Sequence, residues 1–199
     1  MTVVQEHVRV EWQRRVTAEY GPAAITHSLL GWLLRLGASP TLLHEATRIV
    51  DDELVHAEMA FAVLNAAGGG AVALGGALGA EPEPGLSLLE NTCALGVRVF
   101  CLGETVAVRL FKSLREGTTV EVARQALDRV LIDEVRHRDF GWLLLEWLAQ
   151  QATWPKLSAL IEGRLPAWFA ELRVSYGSSD GSFDDTFRAW GLMSHAEYA

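Results

Sequence analysis

Apolar residues recur every three to four positions through most of the chain, the spacing of helices that bury one face. The first such segment covers about residues 3–36 and sets Trp12, Val16, Glu19, Ala23, Thr26 and Leu30 on one stripe. Gly21-Pro22 inside it predicts a kink just after Glu19. Gly37-Ala38-Ser39-Pro40 then reads as a tight connection, with Gly as the stop, Ser39 as N-cap and Pro40 in the next first turn. The second segment, about 40–66, carries Ala46, Ile49, Glu53, His56 and Ala60 on one face. Periodicity stops at Gly68-Gly69-Gly70, and residues 67–86 are expected to be a long crossover, a brief helix or a lid over the bundle. Ser87 and Glu90 form a capping-box pair that opens a third helix to about residue 116. Gly117 stops it, and Thr118 with Glu121 is expected to start the fourth, to about 151, by the same device.

Short loops within each pair of helices make neighbours antiparallel, so the expected fold is all-α: a four-helix bundle of two antiparallel hairpins joined by a long crossover. A fifth helix, about 155–176, is expected outside the bundle, followed by a flexible link at 177–181. The tail at 182–199 carries Phe183, Phe187 and Trp190 at helical spacing and is expected to dock. We expect one domain over 1–199, with the core at 3–151 and an accessory helix and tail at 153–199.

Composition narrows the classes. Half of the 199 residues are hydrophobic and 21% charged, a globular balance. A formal charge of −8 with no long Lys/Arg run argues against a nucleic-acid or anionic-membrane partner. Only Cys93 and Cys101 occur, too far apart on one helix to pair with each other and with no Cys-x-x-Cys motif. Residues 1–15 have no signal-peptide core and no stretch reaches membrane-spanning length, so a cytoplasmic protein is expected.

The charged residues that fall on apolar faces carry the chemistry. Asp52-Glu53-Leu54-Val55-His56 and Asp133-Glu134-Val135-Arg136-His137 are near copies, each in a predicted helix. Glu and His three apart lie about 60° from each other and about 4.5 Å along the axis, so both side chains reach one ion. Each copy follows a helix with its own inward Glu, Glu19 in the first half and Glu104 in the second. The intervals are similar, 34 residues from Glu19 to Glu53 and 30 from Glu104 to Glu134. Four carboxylates in a dry core repel one another unless they take up protons or cations, and two divalent ions cancel their charge. The predicted ligands are therefore Glu19, Glu53, His56, Glu104, Glu134 and His137. Glu11 could replace Glu19 but would put the two halves out of step.

These motifs resemble the ferritin-like di-iron carboxylate superfamily, and the Asp-Glu-x-Arg-His wording is similar to its oxygen-activating hydroxylases and rubrerythrins. The runs Ala18-Glu19-Tyr20, Leu36 to Pro40, Asp52 to Glu58, Cys101 to Thr105 and Asp133 to Trp142 resemble bacterial ferritin-like domain proteins of similar length. The resemblance spans about residues 10–150. It implies two iron ions, with manganese as the alternative, bridged by Glu53 and Glu134, with Glu19 and Glu104 terminal and one His on each ion. It also implies that Asp52 and Asp133 orient the metal-bound His of the opposite helix, Asp52 for His137 and Asp133 for His56, with Arg136 as a nearby counter-charge.

The expected activity is a di-iron oxidase or oxygenase that uses dioxygen, an external electron donor and a small organic substrate. Glu53 and Glu134 are the residues closest to its chemistry. The alternative is a ferroxidase or a rubrerythrin-like peroxide scavenger. A homodimer is compatible with either. Tyr20, Cys101 and the tryptophans Trp32, Trp142, Trp147 and Trp168 are read as packing residues, and His7, His27, His44 and His195 receive no chemistry.

Overall fold

In a computed structural model, residues 3–74, 76, 79–176 and 185–193 are described. Among these the chain is helical, with no strand. Helix α1 runs Val3–Arg35 and α2 runs Pro40–Ala66. Ser39 caps α2, its hydroxyl accepting from the Leu42 amide at 3.3 Å, and Gly37 turns the chain at φ 70°. After the crossover, α3 (Leu88–Leu95) opens with the full Ser87/Glu90 capping box. It passes into a π-helical stretch, Gly96–Gly103, and then α4 (Glu104–Glu116). Helices α5 (Glu121–Ala149), α6 (Trp154–Tyr176) and the short α7 (Asp185–Ala189) complete the order.

Two apolar clusters fix how the long helices run. One holds Leu29, Leu33, Leu42, Ile49, Phe100, Phe140 and Leu144; the other holds Val8, Trp12, Ala60, Leu64, Leu114, Ala123 and Leu127. Helix α2 meets the first cluster early and the second late, and α5 meets them in the reverse order. Helix α1 runs with α5, and the α3–α4 rod runs with α2. Glu19, Glu53, Glu104 and Glu134 fall between the two clusters on their respective helices, so apolar packing seals the site from both ends.

Gly21-Pro22 lies inside α1, which is helical from Val3 to Arg35 as one element. Pro22 withholds only the amide that would have met the Ala18 carbonyl, and both residues line a cavity where that carbonyl need not be buried in apolar packing. Three expectations need correction. The third helix is not uniform. Gly141 of α5 presses on it so closely that a Cβ there would lie 2.6 Å from the Phe100 carbonyl carbon, and the backbone is wound as a π-helix at that contact. Thr118 does not cap α5; its hydroxyl donates back to the Leu114 carbonyl at 2.7 Å. The amides of Thr119 and Val120 instead donate to Ala189 at 3.1 and 2.9 Å, so the tail supplies the acceptor that a cap would have given. Trp142 is 48% exposed and packs into no core.

The crossover follows α1. Gly70 lies against the Arg9 and Gln13 side chains, and Gly79 lies against Ser28 and the Ala24 carbonyl, where a Cβ would collide. Its described residues form no helix. Helix α6 packs outside, with Trp168 buried against Ala94, Val97 and Cys101. The tail docks on α1: Trp12 Nε1 donates to the Trp190 carbonyl at 3.0 Å and Arg15 Nη2 to that of Gly191 at 2.8 Å. The expected link at 177–181, Phe183 and His195 lie outside the described residues.

Candidate metal centre

Glu53 and His56 share the inner face of α2, as Glu134 and His137 share that of α5, because three residues of helix bring a side chain back to the same side. Across the interior they meet Glu19 of α1 and Glu104, the first residue after the π-helical stretch. The Glu104 amide donates to the Val99 carbonyl five residues back, so the wider π turn directly sets where its carboxylate emerges. Two sets of donor atoms lie within 4.8 Å of one another: Glu19, Glu53 and His56, and Glu53, Glu104 and His137. Glu53 belongs to both. Glu134 stands beside the second set, its Oε2 at 3.5 Å from His137 Nδ1. Glu11 is elsewhere, paired with Arg14.

The two imidazoles are oriented alike. His56 Nε2 is 3.0 Å from Asp133, and His137 Nε2 is 3.2 Å from Asp52. Each ring thereby points Nδ1 inward, at 3.3 Å from Glu53 in both cases. With the Nε2 proton held by an aspartate, the Nδ1 lone pair is free for a cation. Arg136 contacts Asp52 and donates to Asp133 at 2.8 Å. Arg129, not anticipated from the sequence, also joins the two aspartates, at 3.3 Å from Asp52 and 2.5 Å from Asp133. Its one sequence signal is its place one helical turn before Asp133.

Charge in the site is heavily redistributed. Burial, reinforced by the Glu53 carboxylate, pushes Glu19 up to about 8. Burial and the neighbouring Glu134 raise Glu104 well above the ordinary carboxylate range. Burial works against a charged His56, yet hydrogen bonding to Glu53 carries it up to about 9. His137 overcomes the same penalty through Asp52, Glu134 and Glu53 and reaches about 12. Burial opposes ionisation of Asp52 too, but His137 and Arg136 hold it down at about 2. Protons thus gather on Glu19, Glu104 and the two histidines, and Asp52 outside them stays charged.

The donor set fits a pair of cations. Glu134 Oε2 and His137 Nδ1 are buried 3.5 Å apart, with Nδ1 3.3 Å from Glu53, but none of these contacts is aligned as a hydrogen bond, and an unsatisfied buried polar group costs about 1–3 kcal/mol. Both face the space bounded by the carboxylates, where a positive ion would satisfy them. Mixed oxygen and imidazole donors suit iron or manganese.

A cavity of about 580 Å³ reaches this point from the side of α1 and α4. Glu19, Glu53, Glu104 and Glu134 line its inner end, and Ala107, Leu110, Phe111 and Leu114 make an apolar wall. Leu172 and Ser175 of α6 stand at its margin. Tyr20 is partly buried, and Cys93 and Cys101 are buried free thiols pushed up to about 11 and 12 by burial, which leaves them unreactive. Comparison with protein-family models, curated proteins and solved structures gives no match.

Proposed function

We propose that the chain is a ferritin-like four-helix bundle holding two iron ions, and that it is a dioxygen-dependent oxidase or oxygenase of a small organic molecule. The observation that carries this reading is the pairing of the two histidines with two aspartates behind them, which leaves both inner nitrogens facing the same carboxylates. A histidine kept only for packing has no need of an aspartate that fixes its tautomer, and both copies of the motif have one. Glu19, Glu53 and His56 would hold one ion, and Glu53, Glu104, Glu134 and His137 the other, with Glu53 common to both.

Two ferrous ions would supply the electrons that dioxygen reduction needs. The chain's own contribution is separate. The two apolar clusters close the site at both ends and leave the cavity as its approach. The Asp52–Arg136–Asp133–Arg129 network holds both imidazoles in place. Glu19 and Glu104, which hold protons when the site is empty, would exchange them for the ions and so keep the charge of the buried site balanced. The cavity favours organic oxidation over ferroxidase or peroxide chemistry, since iron and peroxide need far less than 580 Å³ of largely apolar space.

The test is single-turnover oxygen uptake by the anaerobically iron-loaded protein, with product analysis. Uptake within seconds with two irons per chain supports the reading, and an organic product places it among the oxygenases. Growth of a ferric core, or peroxide consumption without organic product, supports the ferroxidase or scavenger instead. A protein that retains no transition metal refutes both.

A further inference from the structure

One cation beside the carboxylates has no role in holding the aspartates. Arg15 lies on α1 one turn before Glu19 and lines the same cavity. Its guanidinium is fixed on two sides. Nη2 donates to the Gly191 carbonyl at 2.8 Å, and Cζ sits 4.4 Å from the centre of the Trp12 ring. Its other terminal nitrogen, Nη1, is buried and has no hydrogen-bond partner. Glu19 is near enough to influence it, but no carboxylate oxygen among the described residues comes within ion-pair distance. A buried arginine nitrogen without an acceptor is costly, and cavities that bind ligands place a few such groups against apolar walls.

We propose that Arg15 anchors the carboxylate of an amphipathic monocarboxylic acid whose apolar body lies along Ala107, Leu110 and Phe111, with its chain directed at the Glu19–Glu104 level. Charge count favours a monoanion. Two divalent ions neutralise the four glutamates, and Arg98, the other arginine on the cavity, already faces Glu171 at 3.9 Å. Arg15 is then the single uncompensated positive charge. A phosphate dianion would bring a second negative charge into a site with nothing left to meet it. Glu19 is one helical turn away, about 6 Å along the axis, so the carbons a few bonds from the carboxyl would lie level with the predicted ligands. The identity of the carbon that reacts and the preference for a monoanion over a dianion rest on the di-metal reading; the contact of a carboxylate with Arg15 does not.

Calorimetric titration of the anaerobic protein loaded with Mn²⁺ tests this, with octanoate and 1-octanol as probes and metal content measured on the same samples. Wild type should bind octanoate at least about tenfold more tightly than octanol, the scale of one charge-assisted hydrogen bond. Arg15→Gln should erase that preference while keeping the metal. Arg15→Met, whose stem still covers Trp12, carries the same comparison if the Gln variant does not fold. Leu110→Trp should weaken both probes by filling the cavity. Equal binding of the two probes to wild type overturns the proposal. So does a preference that survives at Arg15→Gln and disappears on metal removal, which would put the carboxylate on the metals. An Arg15-dependent preference in protein that holds no metal would sink the di-iron reading and leave this one standing.

Discussion

Loading the site with metal should expel protons, in a number the structure supplies. At pH 6 to 7 the metal-free site keeps a proton on Glu19, held up to about 8, and one on Glu104, raised well above its ordinary range. It also keeps a second ring proton on His56, up to about 9, and on His137, up to about 12. A cation needs each of these four groups with that proton gone. Two divalent ions should therefore release about four protons, an exchange that leaves the net charge of the site nearly constant. The product of the two binding constants should then rise by up to about 10⁴ between pH 6 and 7, about 5 kcal/mol. The sign for the metal-free protein is opposite. All four groups bind protons more tightly folded than unfolded, so its stability falls as pH rises, from about 4.5 for the glutamates and 6.5 for the histidines. Titration with Mn²⁺ in two buffers of different ionisation enthalpy counts the protons, and melting curves from pH 6 to 9 give the second trend. Release of one proton or fewer per pair of ions would mean that these side chains are not the ligands, or that burial does not hold their protons.

Three further outcomes follow from individual contacts. Asp133→Ala should lower metal affinity about 10- to 100-fold, read by competition with a chelator, with two ions still bound at saturation, because it removes the acceptor at 3.0 Å from His56 Nε2 but no ligand. Gly141→Ala should lower thermal stability by about 1–3 kcal/mol, since its Cβ would meet the backbone of Phe100 and Cys101 and not a side chain that can swing away; an unchanged melting temperature would show that α5 does not press there. Glu90→Gln should flatten the acid limb of the stability curve. The Ser87 hydroxyl, then Lys156 at 2.9 Å, hold Glu90 down at about 2, so its contribution is complete above about 4.5 and fades as pH falls toward 2, and identical acid unfolding of the two proteins would contradict this.

What the sequence disclosed and what it hid divide along one physical line. The Glu-x-x-His pairs, the Ser39 cap and the Ser87/Glu90 box were readable because each is decided within a turn of helix, where spacing alone settles which side chains meet. The Thr118/Glu121 pair has the same spelling as a capping box and does not act as one. The deciding acceptor, the Ala189 carbonyl, comes from some 70 residues further along, and no local pattern reports it. The π-helical stretch is likewise written in α5 and not in its own residues: without a Cβ at Gly141, the backbone of Phe100 and Cys101 comes to within 2.8 Å of where one would stand. That long-range contact bears directly on the site. The two halves of the chain are similar in motif but unequal in interval, 34 residues against 30, and α1 reaches Glu19 as plain α-helix where the other half reaches Glu104 through a π turn. A strict duplication would give two equivalent positions. Here the wider turn, the direct neighbourhood of Glu104 and Glu134, and an arginine beside Glu19 alone make the two positions chemically distinct. If the proposed ions are bound, distinct positions would let one be held chiefly by carboxylates from α4 and α5 and the other face the Arg15 side of the cavity, an asymmetry that the proposed oxidation of a bound molecule would use and a purely structural clasp has no reason to keep.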